Sequence, residues 1–307
     1  MPHTREKKAN TTNKLYGNLF PLNAAFAFWK AKPMILLAAS SKDVAGTNIA
    51  RQILNHYPFS KTSQAFQENP VYQAEINGKQ VRLVTLKEET VNAQTLPDHF
   101  PSLSLIVFIS RHSSASGTPT LSVHTPGNFA AAELGGLPRT VSVAPAAAMQ
   151  TALKALKRHQ QEMNLDYAVS YECTHHGPSL NVPTMFVELG SSAKQWSDVK
   201  AAEAVAHAAM QAIAEFNVSK RTAAIGIGGT HYNQRFTQMA LAGETVFSHM
   251  IPKYAVQHVD AELLFHCVER TLEKVDRAIL DWKGIKGMDK PKLLAALQEI
   301  KLPYTRV

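Results

Sequence analysis

The sequence predicts an α/β fold, a mixed and mostly parallel sheet flanked by helices. Three observations carry that expectation. Short apolar runs rich in β-branched residues alternate with segments whose apolar positions recur at helical spacing. Asn77-Gly78 joins two strand-like runs as a tight hairpin, which places an antiparallel pair inside an otherwise parallel alternation. The chain has 307 residues, 45% hydrophobic and 18% charged, enough to bury a large core without covalent staples.

Residues 1–33 read apart from the rest. They hold six Lys/Arg against one acid, Glu6, and a short apolar stretch from Phe20 to Trp29. That stretch is short for a secretory signal and lacks a small-residue cleavage site, whereas the scarcity of acids also suits a transit peptide. Met34 opens a strand-like run and would serve as a start, so 1–33 is expected to be a dispensable extension, disordered or loosely packed. The principal domain is then 34–307, with a weakly marked sub-boundary near 140.

Met34–Ser40 reads as a buried strand and Gly46–His56 as a helix, with Ile49 and Ile53 on one face. Val71–Ile76 and Gln80–Leu86 flank the hairpin turn. Ser104–Ser110, Leu121–Thr125 and Thr140–Val143 follow as strands. Pro145 suits a helix start, and Met149, Leu153 and Leu156 give that helix its core face. Leu165–Tyr171 and Thr184–Leu189 are strands. Trp196 to Phe216 is one long amphipathic helix, and Thr222–Ile227 a buried strand ending in glycines. A helix capped by Asp260 is expected to run towards Trp282. Asp289 and Pro291 open a last helix carrying Leu293, Leu294, Leu297 and Ile300.

The formal charge is +8, which favours an anionic partner, but most of the excess lies in residues 1–33. Cys173 and Cys267 form neither a disulfide framework nor a Cys-x-x-Cys motif and suit a reducing cytoplasm. No apolar run reaches the roughly 18–20 residues of a membrane span.

The histidines locate the chemistry. Of thirteen, six fall at strand ends and turns: His112, His124, His175, His176, His231 and His249. Strand ends of α/β sheets are where sites are built. His207, mid-helix among alanines, and His159, at a helix end, read as structural. A strand delivers Arg111 and His112 into a polar loop with Ser113, and the next strand brings back His124. Such a loop suits phosphate or carboxylate contact, or is merely solvated.

In Tyr171-Glu-Cys-Thr-His-His-Gly-Pro178, four acid–base or metal-binding side chains crowd five positions. Titratable groups at that density are costly to bury without use. Adjacent side chains on extended chain point opposite ways, so His175 and His176 are expected to take separate roles. Ile225-Gly-Ile-Gly-Gly-Thr-His-Tyr232 fits neither a dinucleotide fingerprint nor a Walker loop, and no helix start is evident after it. His249-Met-Ile-Pro-Lys-Tyr254 offers His249, Lys253 and Tyr254.

Taken together, Ser110–Asn128, Glu172–Pro178, Phe186–Ser191, Gly228–Tyr232 and His249–Tyr254, in this order, resemble the archaeal and plant type of D-aminoacyl-tRNA deacylase. The resemblance runs from about Met34 to the C-terminus. It implies hydrolysis of the ester between a D-amino acid and the 3′-terminal adenosine of tRNA. It also implies a fold like that of peptidyl-tRNA hydrolases and nucleoside phosphorylases, and Zn2+-dependent activity in at least some members. A cytoplasmic monomer acting on D-aminoacyl-tRNA is expected, with no membrane contact and no obligate protein partner.

Under that resemblance His175, His176, Glu172, His231 and Thr230 are the catalytic candidates. Arg111, His112, Ser113, His124, Gly228, Gly229, Tyr232, His249, Lys253 and Tyr254 are the candidates for substrate and tRNA contact. Metal would fall to His175, His176, Glu188 and His112, with Glu172 and His231 also considered. Thr230 and the Gly228–Gly229 backbone are expected to serve an oxyanion or the substrate amine. The alternatives are a zinc hydrolase of a small ester or amide, a nucleoside- or phosphate-binding enzyme of related fold, and a tRNA-binding protein without chemistry.

Overall fold

A computed structural model of the chain describes residues 33–217 and 220–307. The extension expected over 1–33 lies, apart from Pro33, outside the described residues. Strand β1 (Met34–Ser40) is wholly buried and lies between two parallel neighbours, β4 (Lys79–Leu86) and β5 (Leu103–Arg111). Burial on both faces explains its unbroken apolar run. The hairpin forms as expected: Asn77 and Gly78 both take positive φ, 47° and 76°, and join β3 (Asn69–Ile76) to β4. A further strand, β2 (Ser60–Phe66), was not legible, since its Ser-Lys-Thr-Ser-Gln composition carries no apolar alternation; it pairs with β3 at the sheet edge.

Beyond β5 come β8 (Thr184–Gly190), β6 (Thr120–His124) and β7 (Ala168–Tyr171), completing an eight-stranded sheet in the order β2-β3-β4-β1-β5-β8-β6-β7. Only the β2-β3-β4 edge and the β6/β8 pair are antiparallel. Thr140–Val143, expected as a strand, makes only isolated bridges, Val141 to Gly127 and Val143 to Pro183.

Helices α1 (Val44–His56), α2 (Ala146–Glu162) and α4 (Val199–Glu215) cover one face of this sheet. The long helix expected from Trp196 is interrupted. A short α3 (Ala193–Trp196) ends, and Asp198 caps α4 afresh by accepting from Ala201 N–H. Asp43 caps α1 with one oxygen, 2.9 Å from Gly46 N, and accepts Arg111 N–H with the other at 2.7 Å. That carboxylate therefore ties the start of α1 to the end of β5, the point from which His112 departs.

A second, four-stranded parallel sheet has the order β10-β9-β11-β12, formed by β9 (Ala223–Ile227), β10 (Phe247–Ile251), β11 (Val275–Leu280) and β12 (Tyr304–Arg306). Helices α6 (Ala261–Glu269) and α7 (Lys290–Glu299) pack on it. The helix opened by Asp260 stops at Glu269, well short of Trp282, because Val275–Leu280 is a strand held between β9 and β12. A helix start does follow the glycine loop after all: Asn233 accepts Phe236 N–H and opens α5 (Gln234–Leu241).

Candidate active site

The C-terminal ends of β5, β6 and β7 converge with the glycine loop after β9. Glu172, just past β7, is fully buried and sits at the centre. His112 Nδ1 lies 3.1 Å from its Oε1, and His231 Nε2–H donates to its Oε2 at 2.9 Å. Burial opposes charge on all three groups, but close partners prevail: the two rings beside Glu172, Glu172 and Glu188 beside His112, and Cys173 and Glu172 beside His231. They hold Glu172 well below the carboxylate range, and raise His112 to about 11 and His231 to about 10. Glu172 is thus an anion clamped between two imidazolium rings. His112 Nε2 hydrogen-bonds with the Tyr232 hydroxyl.

Glu188, buried in β8, accepts from Ser110 Oγ at 2.6 Å and lies 3.7 Å from His112 Nδ1. Burial and the nearby Glu172 charge push its carboxyl up to about 7, against the pull of His112. A second group lies alongside. His175 donates Nδ1–H to the Cys173 carbonyl at 2.8 Å, and His176 donates its own to the Gly177 carbonyl at 2.6 Å. Both rings thereby turn bare Nε2 lone pairs inward. His176 Nε2 lies 3.2 Å from His124 Nε2.

Burial depresses all three rings, His176 to about 4 and the other two well below their ordinary value. One ring nitrogen from each of His124, His175 and His176 falls within 4.8 Å of the others. Adjacent His175 and His176 therefore turn towards the same place rather than to opposite sides of the chain. His176 adopts φ +42°, a left-handed turn that brings the two ring centroids within 4.2 Å.

That turn depends on Gly177. A Cβ there would lie 2.2 Å from Gly136 N and 2.5 Å from the Val91 carbonyl oxygen, backbone atoms that cannot swing aside. The variant G177A is expected to lose about 1–3 kcal/mol in urea denaturation and to lose activity with it. An unchanged midpoint would show that the loop yields freely.

The other candidates divide. Tyr254 reaches the cluster, its hydroxyl 3.4 Å from Cys173 Sγ and 3.3 Å from His231 Nδ1. Lys253 and Ser113 are exposed. Arg111 faces away from the cluster, pairing with Glu89 at 3.1 Å and donating to the Lys42 carbonyl. The oxyanion expectation for the glycines fails, because Gly228 N–H already donates to Ile251 O and Gly229 N–H to Gly284 O. The Thr230 hydroxyl is likewise used within its own loop, on the Tyr232 carbonyl.

His249 stands inside β10, fully buried, with Nε2–H on the Arg270 carbonyl at 2.9 Å and Thr174 beyond Nδ1, so it does not reach the cluster. The metal set expected at His175, His176, Glu188 and His112 is split. The first two join His124, while the last two join Glu172. The contribution of Ser110 was missed; its place two residues before His112 on an apolar strand was the available signal.

Burial holds His249 down to about 3, against an ordinary 6.5. Its folded-state pKa is depressed, so its contribution is intact above 6.5 and shrinks as pH falls, by about 1.4 kcal/mol per pH unit. The variant H249Q is expected to show a shallower fall in denaturation midpoint between about pH 6.5 and pH 5. A slope equal to that of the wild type would assign the acid sensitivity to the other buried histidines.

A buried carboxylate between two histidines, beside three further imidazoles at the strand ends of an α/β sheet, is a donor set suited to proton transfer or to holding a metal. Over residues 99–305 the chain matches the family model described as D-aminoacyl-tRNA deacylase. It is 35% identical over 280 residues to the D-aminoacyl-tRNA deacylase of Thermococcus onnurineus (strain NA1), across 89% of this chain and 100% of the relative. The enzyme of that name from Pyrococcus furiosus is 34% identical over 279 residues, with the same coverage. A crystal structure of a conserved protein of unknown function superposes with a TM-score of 0.79 at 29% identity, covering 89% of this chain and 95% of that one. This chain belongs to the D-aminoacyl-tRNA deacylase family.

Proposed function

We propose that the chain hydrolyses the ester joining a D-amino acid to the 3′ end of tRNA, with the chemistry at the Glu172–His231 and His124–His175–His176 groups. Family membership supports the reaction. The observation that supports this placement is the Glu172 clamp, whose outer member, His231, is 31% exposed while Glu172 is fully buried. His231 gives Nε2–H to Glu172 and turns Nδ1 towards Cys173 Sγ at 3.2 Å and the Tyr254 hydroxyl at 3.3 Å, so its positive charge supports an ester carbonyl gaining negative charge through its field rather than through a free N–H. The exposed Tyr254 hydroxyl beside it is the donor that can turn to that carbonyl. The neutral rings offer lone pairs to a water. A base with a pKa of about 4, as at His176, draws a proton weakly near neutrality, so these rings orient a water better than they ionise it.

Zinc fits the three neutral rings. Two carry the carbonyl-anchored Nδ1–H typical of metal-binding imidazoles. His124 Nδ1 is buried with no hydrogen-bond partner, and the Glu188 carboxylate lies 3.9 Å away. His124, His175 and His176 would hold the ion. When bound it would supply Lewis acidity and lower the pKa of a bound water.

An open groove of about 820 Å³ beside Gly229 and Thr230 is lined by Asn233, Gln234, Arg235 and Lys253 among others. Its size suits the terminal nucleotides of an acceptor strand, with Lys253 and Arg235 towards phosphates. Among the described residues no helix is long and apolar enough to cross a membrane. The reading also takes the chain to work on tRNA as a monomer in the cytoplasm.

The test compares single-turnover hydrolysis of D-Tyr-tRNA with that of a small D-tyrosine ester. The tRNA ester is expected to be cleaved far faster, with KM rising as salt is added. Equal, salt-independent rates would make the protein a general esterase.

A further inference from the structure

A second group of metal-binding side chains lies away from the cluster. Glu203 and His207 are one turn apart on α4, and His56 ends α1. His56 Nε2 lies 3.5 Å from Glu203 Oε1, and His207 Nε2 lies 3.5 Å from the same oxygen. Both separations are long for hydrogen bonds between nitrogen and oxygen. They are close to the edge of a tetrahedron around a zinc-like ion, which for bonds of 2.0–2.1 Å comes to about 3.3 Å. His207 is aimed by its other nitrogen, with the Tyr57 hydroxyl 2.9 Å from Nδ1, the outer contact that fixes a ligating imidazole. The donor atoms of all three side chains fall within 4.8 Å of one another.

The neighbouring His159 is engaged elsewhere, with Nε2 on Arg158 and Nδ1 3.3 Å from Glu162. Asp43, at the start of α1, touches the end of β5, so the thirteen residues of α1 carry His56 about 20 Å from the catalytic edge.

We propose that His56, Glu203 and His207 bind a zinc-class divalent cation, with water completing the coordination, and that the ion braces α1 against α4 at a distance from the chemistry. Two imidazoles and a carboxylate suit zinc over magnesium or calcium. The site would make the protein's thermal stability respond to zinc independently of its activity.

The experiment uses the full chain, stripped of metal with chelator and dialysed, then titrated with zinc against a chromophoric competitor. The wild type, H207A, E203Q and a double variant, H56A/H207A, are compared, each checked for folding by circular dichroism. Each variant is expected to bind one equivalent of zinc fewer than the wild type and to lose the part of the zinc-dependent rise in Tm that this site provides. Hydrolysis of D-Tyr-tRNA by zinc-restored protein should be unchanged. E203Q keeps the side-chain shape and guards against a packing defect in the alanine variants. Retention of every equivalent by E203Q and the double variant would overturn the proposal. If the catalytic cluster holds no zinc, the wild type binds a single equivalent, still lost in the variants, so the two readings fail separately.

Discussion

Glutamine at position 172 is expected to lower kcat/KM on D-Tyr-tRNA by at least about 10²–10³-fold. The carboxylate is fully buried and answers two rings at once, His112 at 3.1 Å and His231 at 2.9 Å. An amide there keeps the volume but removes a charge that favours protonation of both rings, leaving Glu188 beside His112 and Cys173 beside His231. The positive charge on His231 would then be less firmly held, and its support of a developing oxyanion weaker. Folding should suffer too, since removing one partner of a buried ion pair costs about 3–5 kcal/mol.

The pH dependence of E172Q adds a separate mark. His112 and His231 have folded-state pKa values raised to about 11 and about 10, so the stability they lend is complete below 6.5 and is lost as pH rises through those values. The wild type should weaken on the alkaline side, whereas E172Q should start weaker and respond less. Urea denaturation at several pH values, alongside single-turnover kinetics, measures both. Activity within tenfold of the wild type would remove Glu172 from the mechanism.

The second large effect is expected at His176. Asparagine tolerates the left-handed backbone this residue adopts, so H176N removes the ring without disturbing the turn. Deacylation should fall about 10²-fold or more, with folding stability changed by no more than about 1 kcal/mol. The same variant should bind zinc more weakly at the His124–His175 pair left behind. A full rate in H176N would take that ring out of the mechanism and leave the chemistry to the remaining histidines.

Much of this was legible beforehand, for identifiable reasons. β1 and β5 announce themselves because strands buried on both faces must be apolar throughout, and Asn77-Gly78 because few other pairs tolerate two positive φ angles. The Glu172–His176 segment stood out because titratable groups at that density are costly to bury without use.

What was not legible depends on partners far apart in sequence. Val275–Leu280 reads equally well as a continuing helix, and only β9 and β12 on either side make it a strand. His249 has the same sequence context as the clustered histidines, yet its strand points it at Arg270 and away from the cleft. His124 could be expected near substrate, but its meeting with His176 at 3.2 Å follows from the left-handed turn, which residue types alone do not report. Glycines after a strand suggest free backbone donors, but β10 and Gly284 accept the Gly228 and Gly229 N–H groups, contacts that the local sequence does not report.

The most direct measurement incubates the purified protein with D-Tyr-tRNA and L-Tyr-tRNA and follows the decay of each ester, with and without chelator. The D-ester is expected to disappear much faster than the L-ester, and chelation is expected to slow it. Equal decay of the two esters, or decay no faster than in buffer, would contradict assignment of D-aminoacyl-tRNA hydrolysis to this chain.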